Sequence, residues 1–204
     1  MTLTIAALSA AGMAALLASA SPTTTPGAAP ALCTAENYTI DPVHSTVIFH
    51  TRHVGISEAY GRFDRISDKS ELVADADPSK SSILLVVETD SVNTAAPDRD
   101  KHLRSGDFFN SKEFPEIVFE SKKISGSDKG WDVTGDLTFH GVTKSVTAKA
   151  RQVGKGEFRG EQRIGLVAEF SINMTDYGID FLKKNPGAVG PEVGITVSLE
   201  CSKK

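Results

Sequence analysis

The sequence predicts an all-β chain, closed into an extended antiparallel barrel of about eight strands with one or two short capping helices. Three observations predict it. From Tyr38 onward apolar and polar residues alternate with a period of two rather than 3.6. The alternating runs are short and consecutive, and turn residues separate them. Each run has one apolar and one polar face, so the apolar faces must meet, and up-and-down closure does this without leaving open edges.

The runs follow in order. The first strands are Thr46–His53, a stretch near Tyr60–Phe63, another near Ser70–Ala74, Ser82–Asp90 and Ile117–Lys123. Trp131 to His140 alternates without a break, with Trp131, Val133, Gly135, Leu137 and Phe139 on one face. His140-Gly141 turns the chain into Lys144–Arg151, which directs Val146, Ala148 and Ala150 inward. Gly154-Lys155-Gly156 reads as a further hairpin turn. The last two strands carry Ile164, Leu166, Ala168, Phe170 and Ile172, then Ile195, Val197, Leu199 and Cys201. One helix interrupts them over Asp98–Ser105, with Pro97 suited to its first turn and Gly106 to its end. Its polarity, and Phe108, Phe109 and Phe114 just after it, suit a cap over an opening.

The chain has 204 residues and a net charge of −4, and its 22 Lys/Arg and 26 Asp/Glu all follow position 35. An uncharged leader thus precedes an ordinary folded body. Ile5–Leu17 is Ala/Leu-rich and ends in Ala18-Ser19-Ala20, the pattern of a secretory signal peptide (residues 1–20) cut after Ala20. Residues 21–36, rich in Pro, Thr and Ala, read as a flexible linker, and 37–204 as the domain. The expected location is periplasmic or secreted. In an exported chain Cys33 and Cys201, which bracket the body, are expected to pair, and so long a loop gives about 5 kcal/mol in the chain-entropy treatment. Two unrelated thiols remain the alternative.

Mixed-sign charge without a basic patch excludes a nucleic-acid partner. No nucleophile motif, phosphate loop or dinucleotide fingerprint occurs, so no enzyme activity and no catalytic residue is expected. The five histidines, His44, His50, His53, His102 and His140, lack ligand-like spacing, so no metal site is expected either. Asp41 with His44 and Ser45 has the look of an acid–base group and reads equally as a turn held by side-chain hydrogen bonds. An eight-stranded barrel can enclose a small ligand, and 10 Phe against 3 Tyr and 1 Trp supply apolar surface without polar groups. Composition leaves a filled core open as well. The small inward residues Gly135, Ala148, Ala150 and Ala168 favour a hollow one.

Ile40-Asp-Pro-Val-His-Ser45, Arg52-His-Val-Gly-Ile56 and Gly61-Arg-Phe63 are followed by Asp90-Ser-Val-Asn-Thr94 and Arg99-Asp-Lys-His-Leu-Arg-Ser105. Asp107-Phe-Phe109, Phe114-Pro115, Phe119-Glu-Ser121, Val133 to Thr143 and Asp176-Tyr-Gly-Ile179 complete the series. This ordered set, from about Tyr38 to Glu200, resembles the YceI-like family. The usual Asp-Phe-Gly is Asp176-Tyr177-Gly178 here, and Phe181–Pro191 is a segment where members vary. The resemblance implies a lipocalin-like barrel, often periplasmic, whose tunnel holds a polyisoprenoid such as an isoprenoid quinone or prenyl pyrophosphate. It implies a binding or carrier role, with the lipid as cargo and no other cofactor.

The ligand-contacting candidates are Phe49, Phe63, Phe108, Phe109, Phe114, Phe119, Trp131, Leu137, Phe139 and Phe170 for the tail. Arg62, Arg99, Arg104, His102 and His53 are the candidates for a polar head, although a surface ion pair is the competing role of each arginine. Loading by contact with a membrane surface and a homodimer are further expectations. The alternatives are a fatty-acid or fatty-amide carrier of lipocalin type, and a stress-response envelope protein with a filled barrel.

Overall fold

The computed structural model describes residues 35–204 except Asp128. Eleven strand segments run in order: β1 Glu36–Ile40, β2 Thr46–His53, β3 Ser57–Phe63, β4 Glu71–Ala74, β5 Ser82–Glu88, β6 Val92–Asn93, β7 Glu116–Ser127, β8 Gly130–Phe139, β9 Val142–Phe158, β10 Glu161–Asn173 and β11 Val189–Lys203. Helix α1 is Pro97–Leu103, and α2 is a single turn, Phe181–Lys184. The predicted leader, most of the linker and Cys33 lie outside the described residues.

All pairings are antiparallel, and β1-β4-β5-β7-β8-β9-β10-β11 close into a ring through β1 and β11. The other three segments continue members of that ring. β11 pairs with β1 near its end (Ile40↔Cys201) and with β2 nearer its start (Val47↔Val197). β1 and β2 are therefore one long strand bent over Asp41–Ser45. Their partners β4 and β3 are likewise one strand, since Thr39↔Glu71 and Val47↔Phe63 keep a common register across the bend. β6 continues β5 in the same way, against β3. The result is an up-and-down barrel of eight long strands, and its curvature is taken up at bends and bulges.

Serine and aspartate side chains pin the bend, where ladder hydrogen bonds lapse. The Ser45 hydroxyl donates to the Glu200 carbonyl (3.3 Å) and accepts from the Glu200 N–H (3.0 Å). Asp41 Oδ1 accepts from the backbone N–H groups of Val43 and His44 (2.9 and 3.3 Å). The Asp41–His44–Ser45 group thus holds a turn.

Two expectations are corrected. Gly154-Lys155-Gly156 lies inside β9, and the chain reverses instead at Arg159-Gly160, both with left-handed φ (54° and 83°) as a two-residue hairpin turn requires. His140-Gly141 turns in the same way (51° and 74°), as predicted. Gly135 does not leave axial room: a Cβ there would stand 2.7 Å from Phe119 Cζ, so the Phe119 ring already occupies the space. Gly61 likewise accommodates the ring of its cross-strand neighbour Phe49.

The core has two concentrations. At the end where Tyr38 pairs with Lys203, Tyr38, Ile40, Leu72, Ile164, Leu199 and Cys201 are buried. At the other end Phe63, Val92, Phe108, Phe109, Phe139, Met174 and Tyr177 are buried beneath α1 and the β10–β11 connection.

Candidate functional site: the inner wall and its mouth

Strand alternation sends Phe49 of β2, Phe119 of β7, Trp131 of β8, Leu166 and Phe170 of β10, and Val193 and Ile195 of β11 toward the barrel axis. All are only half-buried, although they share that face with buried Val197 and Leu199. Apolar side chains that point at the axis yet keep accessible surface mark interior space that protein atoms do not fill. Trp131 stands in register with Ala150, and Ala150 with Ala168, so the largest side chain on this wall faces the smallest ones.

Aromatic rings close the far end. Phe109 contacts Phe49 (6.2 Å between centroids), Phe63 (5.5 Å) and Phe139 (5.7 Å), and Phe139 contacts Tyr177 (5.5 Å). Phe108 packs on Phe181 of α2 at 4.5 Å, and His102 meets both edge-on at 5.1 and 5.3 Å. Beside this cluster a groove of about 510 Å³ is lined by Arg52, Gly55, Thr175, Leu182, Lys183, Gly187, Val189, Gly190 and Pro191. It lies where the β2–β3 turn meets the β10–β11 connection.

The structure brings the predicted aromatics together more fully than the predicted polar residues. Leu137 is buried on the inner face, and Phe114 packs on His140 at the β8–β9 turn (4.9 Å) rather than on the axis. Arg62 alternates outward and pairs with Asp64 at 2.7 Å. Arg99 donates to the hydroxyl and carbonyl of Thr94 (both 2.8 Å), and Arg104 to the carbonyls of Asp90 and Val92 (2.8 and 2.9 Å). These two guanidinium groups fasten α1 to the strand before it. Buried Asp100 does the same by accepting from the Thr94 N–H and hydroxyl (2.8 and 2.6 Å). His102 accompanies Phe108 and Phe181 and lies 3.3 Å from Asp107; exposed His53 ends β2 opposite Val189. The reading centred on phenylalanine passed over Leu166, Ile172, Val193 and Ile195, although their alternation marked them as inward.

Two further features define the chemistry. Asp41, His44 and Glu200 offer ligand atoms within 4.8 Å of one another. Arg163 Nη1, however, donates to Asp41 Oδ2 (2.9 Å) and Glu200 Oε1 (2.6 Å), so both carboxylates are already engaged by a guanidinium. Tyr177 is 1% exposed, and its hydroxyl has no hydrogen-bond partner among the described residues. Burial, with the Asp176 charge second, pushes it up to about 12. Burial also holds the Cys201 thiol at about 12, which makes it a poor nucleophile.

An eight-stranded barrel with an incompletely filled apolar interior and ion pairs on its outer surface defines a binding barrel of the kind that encloses a small apolar ligand. A family model described as a YceI-like domain matches residues 38–201, and the chain belongs to that family. A UPF0312 protein of Pseudomonas aeruginosa is 37% identical over 169 residues, covering 81% of this chain and 86% of the relative. Protein YceI of Escherichia coli is 36% identical over the same coverage. Among solved structures, Campylobacter jejuni YceI (27% identity, TM-score 0.63) covers 75% of this chain and 90% of its own. Burkholderia cenocepacia BcnA (20%, TM-score 0.69) covers 79% and 98%. A polyisoprenoid-binding domain from Saccharophagus degradans (17%, TM-score 0.64) covers 82% and 98%. The last two share the fold.

Proposed function

We propose that this protein binds a polyisoprenoid lipid, an isoprenoid quinone or a prenyl pyrophosphate, along the inner wall of its barrel and carries or stores it. The observation that carries this reading is the set of axis-facing apolar side chains, Phe49, Trp131, Phe170 and Ile195 among them, that keep accessible surface. A branched hydrocarbon tail suits such a wall, because burying each carbon-sized group gives up to about 0.8 kcal/mol without directional contacts. The fold shared with a polyisoprenoid-binding domain supports the tail chemistry. The role is binding rather than catalysis, and the leader pattern supports work outside the cytoplasm.

With arginines 99 and 104 committed to backbone carbonyls, affinity rests on the tail. The test is mass spectrometry of lipids extracted from gently purified protein, together with binding of prenyl alcohols of increasing length. Co-purified prenyl lipid and micromolar binding are expected. Extracts free of lipid, with no prenyl binding in vitro, overturn the reading. Amino-terminal sequencing of exported protein, expected to begin at Ser21, tests the leader.

A further inference from the structure

The β2–β3 turn is built against its own backbone preference. Val54 and Gly55 are its central residues, with φ of 46° and 70°, and the Ile56 N–H donates to the His53 carbonyl at 3.0 Å. Both central positions of such a turn need the left-handed region, which favours Asn-Gly. A β-branched residue there is a genuine outlier and costs on the order of 1–3 kcal/mol. The two other turns of this type among the described residues place His140 and Arg159 at the corresponding position. A valine is thus this turn's peculiarity.

The turn also exposes its apolar side chains. Ile56 is 86% exposed and Val54 47%, side by side at the tip of a hairpin that borders the groove beneath Leu182 and Val189. The Val54 N–H donates to the Ala188 carbonyl (3.1 Å), which ties the tip to the β10–β11 connection. Each nearby cation has an anion: Arg52 faces Glu58 (3.7 Å), Lys183 faces Asp180 (2.6 Å) and Lys184 faces Asp107 (3.9 Å). The rim is therefore apolar at its tip and close to neutral around it.

We propose that this tip is a wedge by which the mouth docks on a phospholipid bilayer. The inference rests on the lipid-carrier reading for its purpose and on the turn for its argument. Two adjacent side chains are far too small an area for a stable protein partner, which needs roughly 800 Å² per side. A bilayer interface asks for no complementary shape and accepts a small apolar insertion. Because the local charges are paired, insertion depends on apolar contact and only weakly on anionic lipid or salt.

The test is co-flotation of the full chain with phosphatidylcholine vesicles, with and without phosphatidylglycerol. Wild-type protein is expected to partition equally onto both, weakly enough that flotation is read at millimolar lipid. Val54→Asn and Ile56→Ser are each expected to reduce partitioning about tenfold, as loss of one buried aliphatic side chain would. Val54→Asn should at the same time raise the melting temperature, because asparagine tolerates the left-handed region. A turn kept for stability alone would not separate the two readouts in that direction. Failure of wild-type protein to float, or equal flotation of the double variant, overturns the proposal. Trp131 is the only tryptophan and faces the axis, so its fluorescence on adding farnesyl pyrophosphate reports cargo binding separately. Loss of that signal with flotation intact would count against the lipid cargo and leave the docking surface standing.

Discussion

Tyr177 carries a hydroxyl that nothing repays. This chain buries a phenol against Phe139 and gives it no partner among the described residues. A buried unsatisfied hydroxyl costs about 1–3 kcal/mol. Tyr177→Phe is therefore expected to leave the fold unchanged and raise stability by about 1 kcal/mol in urea titration. Glycine 61 makes the opposite case. A methyl group there would run into the Phe49 ring and Thr94 Cγ2, so Gly61→Ala should destabilise by about 1–3 kcal/mol. Adding Phe49→Val to that variant should restore part of the loss in the same titration, since it removes the ring that blocks the new carbon.

Among the elements, the long strand formed by β1 and β2 depends most on charge. At its start Glu36 accepts from Lys203 Nζ and from the Tyr38 hydroxyl (both 2.6 Å), and at its bend Asp41 meets His44 and Arg163. The Lys203 and Tyr38 bonds hold the Glu36 carboxyl near 2, against an ordinary 4.5. His44, the Val43 N–H and Arg163 hold Asp41 near 2, against 3.8. A carboxyl depressed on folding adds stability that is fully present above its unfolded value and is lost as pH falls through the folded one. Urea midpoints should therefore hold steady between about pH 5 and 6.5 and fall from about pH 5 to pH 2, more steeply than in Glu36→Gln. His44 has the opposite sign: Asp41 raises its pKa, so its contribution is complete below about 6.5 and fades as pH rises through the raised value.

At the scale of the whole molecule, closure decides capacity. Eight strands leave room for a narrow ligand only where side chains do not meet across the axis. Affinity should therefore rise with prenyl chain length and then plateau once the barrel is filled. Isothermal titration across a length series reads this, and the melting temperature should rise with saturating ligand by mass action. A continued rise far beyond the barrel's length would place the tail on an outer surface.

Much of this architecture was legible as alternation, a local property of extended backbone. Trp131 to Phe139 announced its inner face residue by residue, and His140-Gly141 its turn. The bend at Asp41–Ser45 was legible only as a cluster of polar residues, because its meaning depends on Glu200, distant in sequence. Arg99 and Arg104 read in sequence as head-group or ion-pair residues of a charged helix, and their carbonyl partners make them fasteners.

By itself the sequence determined the fold class, the faces of most strands, the position of α1 and the apolar character of the interior, since period and turn chemistry are local. Only the tertiary structure decided which strands are two halves of one and which glycines are filled by Phe49 and Phe119. It also decided which charges are already paired, and that Val54 and Ile56 stand exposed at the mouth. Those outcomes depend on register and ring closure, which bring together residues far apart along the chain and cannot be read from any one window of it.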